Sequence, residues 1–560
     1  MIGLVAATRR GADLAAHLEA VWPDARRFEG RPADAIAQAW PVCDGLVLFM
    51  AAGAAVRLIA RHLADKRRDP GVVTVDDAGR FAVALCAGHE GGANALADRV
   101  AGALGAQPVV TTATDALGIP SLEALGADLG FRLDPRSDVA GVGAALVSGE
   151  RVALVEDQRR PLPAMPGNVE RTVLAAPPCV VVTDREIDIT AGMVVHRPPS
   201  LVVGIGCSRG VSADEILALV DDAFADAGLS SLSIAEVRSV DAKRNEPGLL
   251  EAAGRRRWPL AFVAADILAG VAVPNPSEKA ARAVGTPSVA EAAALLDGGE
   301  LLVPKRRSAA ATVAVVRRAP RGRLAIVGLG PGDPSLLPPL AREALAAAEI
   351  VVGMDAYVER IRPYLRPGTV VKALPVGDEV RRAQLAIEAA SSGASVALVS
   401  GGDAGVYGMA SPALELAPAT IDVHCIPGVT AAVAAAALLG APLGHDHCAI
   451  SLSDLLTPWA LIRRRIEAAA AADFVLVLYN PRSRDRHWQL HEARTLLLVC
   501  RASDTPVGVV ADAFRPGQRV TLTTLGDLDP ERVDMTATVI IGSSRTRVMH
   551  GRMITPRGYA

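Results

Sequence analysis

The stretch Leu324-Ala-Ile-Val-Gly-Leu-Gly-Pro-Gly-Asp333 places an apolar strand directly before closely spaced glycines. A buried strand that ends in a glycine loop before a helix is typical of α/β domains. The loop does not match the dinucleotide-binding fingerprint, because Asp333 stands where that pattern needs its third glycine. Pro331 would also stiffen the turn, and there is no Walker A lysine. The stretch therefore predicts a strand-end loop that is not built for a phosphate.

Three later strands end in the same way. Val399-Ser-Gly-Gly-Asp403-Ala-Gly-Val-Tyr407 has bare backbone and one carboxylate, Ile426-Pro-Gly-Val-Thr430 precedes an alanine-rich helix, and Leu478-Tyr479-Asn480-Pro481 ends another strand. Glycine lets backbone N–H and C=O groups approach a ligand closely. These loops are therefore candidates for a common binding site.

The composition restricts the class of protein. Of 560 residues, 51% are hydrophobic and only 3% are aromatic, so alanine, valine and leucine must fill the interior. A chain of this length is too long to fold around a single hydrophobic core, so three or more domains are expected. The net charge of −3 gives no reason to expect nucleic acid as a partner. Seven scattered cysteines without a C-x-x-C pair predict reduced thiols in a cytoplasmic protein and no metal site.

Two apolar segments raise the question of a membrane. Residues 425–444 carry no charge and are long enough to cross a bilayer. Alanine dominates them, however, and Pro427 and Pro442 interrupt them, so a buried helix is the better interpretation. The start of the chain, Met1-Ile-Gly-Leu-Val-Ala-Ala, has no charged leader and predicts a first strand rather than a signal peptide. We therefore expect a soluble protein with no membrane partner.

The alternation of predicted strands and helices divides the chain into several α/β domains. Strands at 45–50 and 81–86 each run into a helix, whereas prolines crowd the middle segment, which we expect to end in a linker near Arg197. A basic Pro/Gly joint at 317–323 precedes the last domain. The predicted domains are 1–120, a small middle segment at 121–198, 199–316, and 323–547 with lobes of about 323–438 and 439–547.

The last domain carries a specific resemblance. Its four strand ends, in their order, resemble those of the tetrapyrrole methylase family. Longer strings narrow this to the precorrin-3B C-17 methyltransferases, and they lie at 440–446, 451–459, 479–484, 488–490, 523–525 and 533–542. The resemblance covers essentially all of 323–547. It implies two α/β lobes that hold S-adenosylmethionine between them, transfer of a methyl group to C-17 of precorrin-3B or its cobalt form, and ring contraction to precorrin-4.

The same resemblance implies which residues bind the cofactor. They lie at the strand ends and are Pro331, Gly402, Asp403, Val406, Thr430, Ala431 and Ala537. Thr430 can also be a helix N-cap, and both roles are compatible. The resemblance further implies a homodimer through this domain and a tetrapyrrole substrate. The sequence leaves open whether the ring holds cobalt.

The two parts of the reaction make different chemical demands. Methyl transfer from a sulfonium needs an aligned carbon nucleophile and the exclusion of water, whereas ring contraction also needs protons to move. The titratable or hydroxyl groups in the family strings are His445, Asp446, Ser451, Ser453, Asp454 and Tyr479. A single histidine is more often structural, and Asp454 could cap a helix. His445, His447 and Cys448 have no fourth partner nearby, so no metal is expected.

Three arginines follow Pro481 at alternate positions, Arg482, Arg484 and Arg486. Such a spacing can present guanidinium groups to the carboxylates around a tetrapyrrole. An ordinary solvated loop would show the same pattern, so the substrate-binding role is a hypothesis.

The first 316 residues resemble another family of the same pathway, the cobalt-precorrin-5A hydrolases. The matching strings include Ala87-Gly-His89-Glu-Gly-Gly-Ala-Asn94 and Val203-Gly-Ile-Gly-Cys207-Ser-Arg-Gly210, and the middle segment matches loosely. The resemblance implies α/β domains of the cobalamin-biosynthesis hydrolase type, which open a lactone on the ring and release acetaldehyde.

Lactone opening needs a base and donors for the developing oxyanion. His89 and Asn94 in the glycine-rich loop, together with Lys66, are the candidate catalytic residues, and Asp115 is a further candidate. Ala87 and Glu90 depart from the expected pattern around His89. The alternative for this loop is that it only packs a helix against a sheet.

Two other functions remain open. The first 316 residues could be a carrier that binds a corrinoid and catalyses no reaction. Release of an aldehyde from a lactone substrate would exclude this possibility. The last domain could be a methylase of the same fold that acts on RNA or protein. The low net charge and the corrin-type strings at 440–490 oppose that second possibility.

Overall fold

The computed structural model describes residues 1–65, 68–88, 91–112, 117–483 and 486–558. The chain divides into two compact units. Unit 1 comprises Met1–Gln158 and Met165–Ala319, and unit 2 comprises Arg159–Ala164 and Pro320–Ala560. The α/β class predicted from the sequence is confirmed, since strands and helices alternate in both units.

Unit 1 begins with a six-stranded sheet in the order β2-β1-β3-β4-β5-β6, in which the β4–β5 pair is antiparallel. Adjacent residues of β3 face opposite sides, so Leu46 and Leu48 pack in one core and Val47 and Phe49 in the other. The strands predicted at 45–50 and 81–86 are confirmed. The elements are β1 (Ile2–Ala6), α1 (Arg9–Val21), β2 (Ala25–Arg27), α2 (Pro32–Ala39), β3 (Gly45–Phe49), α3 (Ala52–Ile59), β4 (Gly71–Val75), β5 (Phe81–Cys86), α4 (Ala93–Leu104) and β6 (Gln107–Val109).

The proline-rich middle segment forms a second sheet, in the order β7-β11-β10-β8-β9. Arg197, near which the sequence predicts a linker, is the last residue of β11, and its side chain is fully buried. The Arg197 guanidinium donates to Asp134 Oδ2 at 2.9 Å, a partner 63 positions away that no local pattern reveals. The elements are β7 (Arg132–Leu133), α5 (Val139–Ser148), β8 (Val152–Glu156), β9 (Val169–Arg171), β10 (Cys179–Val182) and β11 (Met193–Arg197).

The third sheet of unit 1 has the order β14-β13-β12-β16-β15. Arg317, the last residue of β16, donates to Asp184 Oδ1 at 2.6 Å, and this nearly buried ion pair joins the third sheet to the middle segment. The elements are β12 (Leu201–Cys207), α6 (Ala213–Ala227), β13 (Ile234–Val240), α7 (Pro247–Arg256), β14 (Leu260–Val263), α8 (Ala265–Ala269), α9 (Glu278–Val284), α10 (Val289–Leu295), β15 (Glu300–Arg307) and β16 (Ala311–Arg317).

Unit 2 begins with a fully parallel five-stranded sheet, the first lobe, in the order β19-β18-β20-β17-β21. Because β17 lies between β20 and β21, the loops after these three strands leave the same edge of the sheet side by side. The elements are β17 (Arg323–Gly328), α11 (Pro339–Ala347), β18 (Ile350–Met354), α12 (Asp355–Ile361), β19 (Val370–Leu374), α13 (Glu379–Ser391), β20 (Ser395–Ser400), α14 (Ala410–Leu416) and β21 (Asp422–Ile426).

The second lobe is a mixed sheet in the order β23-β24-β27-β25-β26, with a small sheet β22-β29-β28 beside it. The uncharged residues 425–444 contain the short helix α15, and among the described residues no helix is both long and apolar enough to cross a membrane. The elements are α15 (Ala431–Leu439), β22 (Gly440–Ala441), β23 (His447–Ser451), α16 (Trp459–Ala471), β24 (Val475–Tyr479), α17 (Gln489–Leu498), β25 (Pro506–Ala511), β26 (Arg519–Thr524), β27 (Ala537–Ile541), β28 (Arg547–Met549) and β29 (Arg552–Ile554).

Candidate functional site

The loops after β17, β20 and β21 meet at one edge of the first-lobe sheet, and we call their residues 328–332, 401–405 and 427–430 the glycine cradle. Gly330 and Gly402 form an isolated antiparallel bridge. Gly330 N donates to Gly402 O at 3.0 Å, and Gly402 N donates to Gly330 O at 2.8 Å. The structure therefore brings together the first three glycine loops that the sequence singled out.

The cradle needs glycine because its loops approach each other through their backbones. A Cβ atom at Gly428 would lie 2.1 Å from Gly402 O, and one at Gly328 would lie 2.7 Å from Gly428 N. A Cβ atom at Gly401 would lie 2.5 Å from the Tyr357 ring. All three distances are shorter than any real contact, so a side chain at these positions would push the loops apart.

Asp403 holds two loops of the cradle together. Its Oδ1 accepts a hydrogen bond from Gly405 N at 2.8 Å, within its own loop. Its Oδ2 accepts one from Gly428 N at 2.9 Å, in the loop after β21. A carboxylate oxygen has a second lone pair, so these bonds leave acceptor capacity for a ligand. Asp403, a candidate cofactor contact, is thus also a positioning residue for the loops around it.

Tyr479 connects the cradle to the second lobe. Its hydroxyl lies 2.7 Å from Thr430 Oγ1 and accepts a hydrogen bond from Ala432 N at 3.0 Å. Thr430 occupies the N-cap position of α15, but its side chain makes no capping hydrogen bond. Thr430 is therefore the N-cap residue by position, but its hydroxyl bonds to Tyr479 and does not cap the helix.

The other candidate cofactor contacts differ in their surroundings. Val406 and Ala431 are half-buried against the hydrophobic cluster that contains Tyr479. Ala537, at the start of β27, packs in the cluster on the opposite face of the second-lobe sheet. A contact from Ala537 to a ligand beside Tyr479 would therefore come from its backbone. Pro331 lies within the cradle, and its carbonyl accepts a hydrogen bond from Arg515 Nε.

Polar side chains gather where β23 and β24 end. Ser451 lies opposite Tyr479 in the parallel pair. Its hydroxyl accepts hydrogen bonds from Asn480 Nδ2 at 3.0 Å and from Ser453 N at 3.2 Å. Both lone pairs of the hydroxyl are then used, so Ser451 is set to donate its hydrogen. Asn480 was not among the predicted site residues, although a turn directly after a buried strand was a usable signal.

Asp454 lies just beyond these groups. Its Oδ2 accepts a hydrogen bond from Gln489 Nε2 at 3.0 Å, at the start of α17. The Asp454 side chain is 28% exposed, with Arg486 Nε 3.9 Å from its other oxygen. The loop that follows exposes two apolar side chains, Leu455 at 84% and Leu456 at 98%.

The structure does not bring His445 and Asp446 to this edge. Both precede β23, whereas Ser451 is its last residue. At about 3.3 Å per residue, the two ends of this strand are roughly 13 Å apart. His445 Nδ1 accepts a hydrogen bond from Asp446 N at 2.7 Å, and both side chains are exposed. His445 and Asp446 therefore lie at the opposite end of β23 from Ser451, and their role in ring contraction stays a prediction.

The predicted arginine cluster is engaged within the protein. Arg482 Nη2 donates to Glu531 Oε2 at 2.8 Å. Arg486 is 8% exposed and donates to Asn480 O at 2.6 Å, and burial lowers the pKa of its guanidinium. Arg484 lies outside the described residues. Arg482 and Arg486 thus each bond within the protein, and the substrate-binding role of these arginines stays a prediction.

In unit 1 the candidate loop follows β5. His89, Lys66 and Asp115 lie outside the described residues, so the structure does not place them. Asn94, in the first turn of α4, donates from Nδ2 to Thr112 Oγ1 at 3.1 Å. A Cβ atom at Gly88 would lie 2.9 Å from Asn94 Oδ1. The glycine next to His89 thus lets Asn94 approach the backbone of the loop.

A second polar group in unit 1 lies at the ends of β12 and β13. Lys243 Nζ is 3.2 Å from Glu246 Oε2, and Glu246 Oε1 accepts a hydrogen bond from Gly210 N at 2.7 Å. Burial raises the pKa of Cys207, at the end of β12, to about 11. Since the thiolate is the nucleophilic form, Cys207 is a poor nucleophile near neutral pH. No three His, Cys, Asp or Glu side chains of the described residues converge as a metal site would need.

Comparison with known proteins assigns the family of unit 2. Residues 323–529 match the family described as tetrapyrrole (corrin/porphyrin) methylases. A probable cobalt-factor III C(17)-methyltransferase of Salmonella typhimurium is 52% identical over 239 residues, which are 42% of this chain and 99% of that protein. The chain belongs to the tetrapyrrole methylase family. A precorrin-3B C(17)-methyltransferase of a Sinorhizobium species is 44% identical over 43% of this chain and 98% of its own length.

The remaining residues also match known families. The families are cobalamin synthesis G N-terminal at 34–115, the cobalamin biosynthesis central region at 120–198 and cobalamin synthesis G C-terminus at 201–316. The protein in the crystal structure of the methyltransferase CobJ is 39% identical in sequence, and the match covers 42% of this chain and 100% of that chain with a TM-score of 0.41. The tetrapyrrole methylase domain is thus joined in one chain to the three parts of a cobalamin synthesis G protein.

Proposed function

We propose that the chain is a bifunctional enzyme of corrin-ring assembly. Unit 2 transfers a methyl group from S-adenosylmethionine to C-17 of precorrin-3B, or its cobalt form, and contracts the ring to give precorrin-4. Unit 1 opens a ring-attached lactone and releases acetaldehyde. The observation that carries the methyltransferase assignment is the 52% identity to the Salmonella relative over 99% of that protein. The three matches at 34–115, 120–198 and 201–316 support the hydrolase assignment.

The glycine cradle fits S-adenosylmethionine. Three loops meet there backbone to backbone, since a Cβ atom at Gly428 would lie 2.1 Å from Gly402 O. A cofactor folded into a cleft is gripped by such bare backbone groups. We assign the cofactor contacts to the cradle and its neighbours, namely Pro331, Gly402, Asp403, Val406, Thr430, Ala431 and the backbone of Ala537. When bound, the cofactor supplies an electrophilic methyl group on a sulfonium.

The protein's own part in methyl transfer is positioning and exclusion of water. Asp403 fixes the loop after β20 to the loop after β21 through Gly428 N. Tyr479 fixes the start of α15 through Ala432 N. The exposed Leu455 and Leu456 lie beside the polar edge that Ser451 marks, where they can cover an apolar face of the macrocycle. None of these roles requires the protein to donate or accept a proton during the transfer itself.

Ring contraction needs a proton donor near the macrocycle, and Ser451 is the best-placed candidate. Its two lone pairs accept from Asn480 and Ser453, which leaves its O–H available to donate. Asp454, about one residue length beyond the array, is the nearest partly exposed carboxylate. His445 and Asp446 stay candidates only if the macrocycle reaches the other end of β23.

The methyltransferase assignment is tested with the full-length chain. Incubation with S-adenosylmethionine and either precorrin-3B or cobalt-factor III should give a product heavier by one methyl group, with the absorption spectrum of a contracted ring. Product from only one substrate would decide whether the ring carries cobalt. Unmethylated macrocycle with both substrates would refute the assignment.

The hydrolase assignment competes with a corrinoid carrier. Incubation with a lactone-bearing corrinoid should release acetaldehyde, which a coupled dehydrogenase assay detects. A carrier would bind the corrinoid and release no aldehyde. The control is a shortened chain that starts at Gly322, which should methylate its substrate but release none. The family resemblance also supports a homodimer through unit 2, which sedimentation of this shortened chain would test.

A further inference from the structure

Two arginines that the sequence did not single out flank the first loop of the cradle. Gly332 has a φ of +132°, which is strained for any residue with a side chain. A Cβ atom there would lie 3.1 Å from Arg515 Nε and 3.4 Å from Arg360 Nη1. Because both nitrogens lie that close to one point, the two guanidinium groups are neighbours on either side of Gly332.

The positive charge of this pair is poorly balanced by the protein. Arg515 Nε donates to the Pro331 carbonyl, and its Nη1 is 3.9 Å from Asp512 Oδ1. Arg360 lies 6.0 Å from the centre of the Tyr357 ring, and no carboxylate of the described residues lies within 4.0 Å of its guanidinium.

The acidic side chain of this loop, Asp333, is hydrogen-bonded to Ser335 rather than paired with either arginine. Asp333 Oδ1 accepts hydrogen bonds from Ser335 N at 2.8 Å and from Ser335 Oγ at 2.6 Å. Burial and the neighbouring Arg360 lower the pKa of Arg515, as expected where like charges are held together. An arrangement that keeps two cations adjacent with so little compensation favours an anion between them.

A small cavity opens beside the pair. Its volume is about 30 Å³, and its lining includes Gly330, Gly332, Gly401, Asp333, Tyr357 and Arg360, whereas Arg515 is not part of the lining. Gly330 and Gly401 belong to the glycine cradle, so the cavity adjoins the proposed cofactor site. An acid group that entered this cavity would meet Arg360 directly, with Arg515 next to it at Gly332.

We propose that Arg360 and Arg515 form a carboxylate-binding site that orients the macrocycle through one of its peripheral acid groups. This inference rests on the proposed function, because a tetrapyrrole substrate carries acetate and propionate groups around its rim. The carboxylate of the cofactor's methionine part is the other source of the same chemistry. The site is distinct from the arginine cluster predicted at 482–486, where Arg482 and Arg486 are bound within the protein.

The decisive variant is Arg360→Gln in the full-length chain, because Arg360 has no hydrogen-bond acceptor to lose among the described residues. Arg360→Lys keeps the charge, and Arg362→Gln is the matched control, since Arg362 is exposed and paired with Glu359 at 2.8 Å. Two porphyrin probes, a polycarboxylate and its methyl ester, are titrated by fluorescence. S-adenosylhomocysteine is titrated by calorimetry.

Arg360→Gln should weaken binding of the polycarboxylate by about tenfold or more and leave the ester unchanged, because one charge-assisted hydrogen bond is lost. Arg360→Lys should restore part of the affinity, and Arg362→Gln should match the wild type. Weaker S-adenosylhomocysteine binding with unchanged porphyrin binding would support the site but assign its carboxylate to the cofactor. Unchanged binding of both would overturn the proposal.

The outcome is separable from that of the proposed function. If the wild type bound the polycarboxylate through Arg360 but methylated neither precorrin-3B nor cobalt-factor III, the carboxylate site would stand and the proposed reaction would fail. If it methylated its substrate and Arg360→Gln had no effect on either ligand, the reaction would stand and the site would fail.

Discussion

Replacement of Asp403 by alanine tests whether the cradle binds the cofactor. Asp403 accepts two backbone hydrogen bonds, of which the one from Gly405 stays within its own loop and is exposed. The bond from Gly428 N joins two loops and is part-buried. Only this second bond organises the cradle, so the relevant loss is one hydrogen bond to a charged group.

Such a bond contributes about 1.5–3 kcal/mol, which corresponds to about a 10- to 150-fold loss of cofactor affinity. Asp403→Asn keeps one oxygen that can accept from Gly428 N, so its loss should be below about tenfold. Both variants should remain folded, and methyl transfer by Asp403→Ala should be lost at cofactor concentrations that saturate the wild type.

The assay is calorimetric titration with S-adenosylmethionine, together with circular dichroism to check the fold. The matched control is Asp76→Ala in unit 1, because Asp76 also accepts two backbone hydrogen bonds, from Arg80 N at 2.7 Å and Phe81 N at 2.8 Å. This control should leave cofactor affinity unchanged. Near-normal affinity in Asp403→Ala would refute the assignment of the cradle as the cofactor site.

Three further outcomes follow from the same structure. Tyr479→Phe removes a buried hydroxyl bonded to Thr430 and Ala432 and should cost about 1–3 kcal/mol in the free energy of unfolding of unit 2. Tyr407→Phe should cost about 1 kcal/mol or less, because Tyr407 is 55% exposed; equal costs in urea titrations would argue against this role of Tyr479. Ser451→Ala should accumulate a methylated, uncontracted macrocycle in mass and absorption analysis, because contraction should be slowed about a hundredfold or more. His445→Ala should contract the ring at the normal rate, and the reverse result would assign the proton transfer to His445. Burial lowers the pKa of His196 to about 4 from 6.5, so the unfolded chain binds more protons between these values. The unfolding free energy of unit 1 should therefore fall by up to about 3 kcal/mol as pH drops from 6.5 to 4, and a His196→Leu variant with the same pH slope would contradict this.

The sequence by itself determined the elements and the families. Apolar runs bounded by glycine or proline marked the strands at 45–50 and 81–86 within one or two residues, because burial and turn formation are local properties of the chain. The glycine loops were found for the same reason, since a close backbone approach excludes side chains wherever it occurs. The resemblance to the tetrapyrrole methylases depended on these loops.

Only the tertiary structure decided which of the marked residues meet. The order β20-β17-β21 brings the first three glycine loops together, and no local pattern encodes the order of strands in a sheet. The length of β23 separates His445, which precedes the strand, from Ser451, its last residue, although the two are close in sequence. Arg197 is buried, and Arg360 lies beside Arg515, because their neighbours come from distant parts of the chain. Electrostatic and packing partners of this kind are fixed by the fold, so local sequence alone did not reveal them.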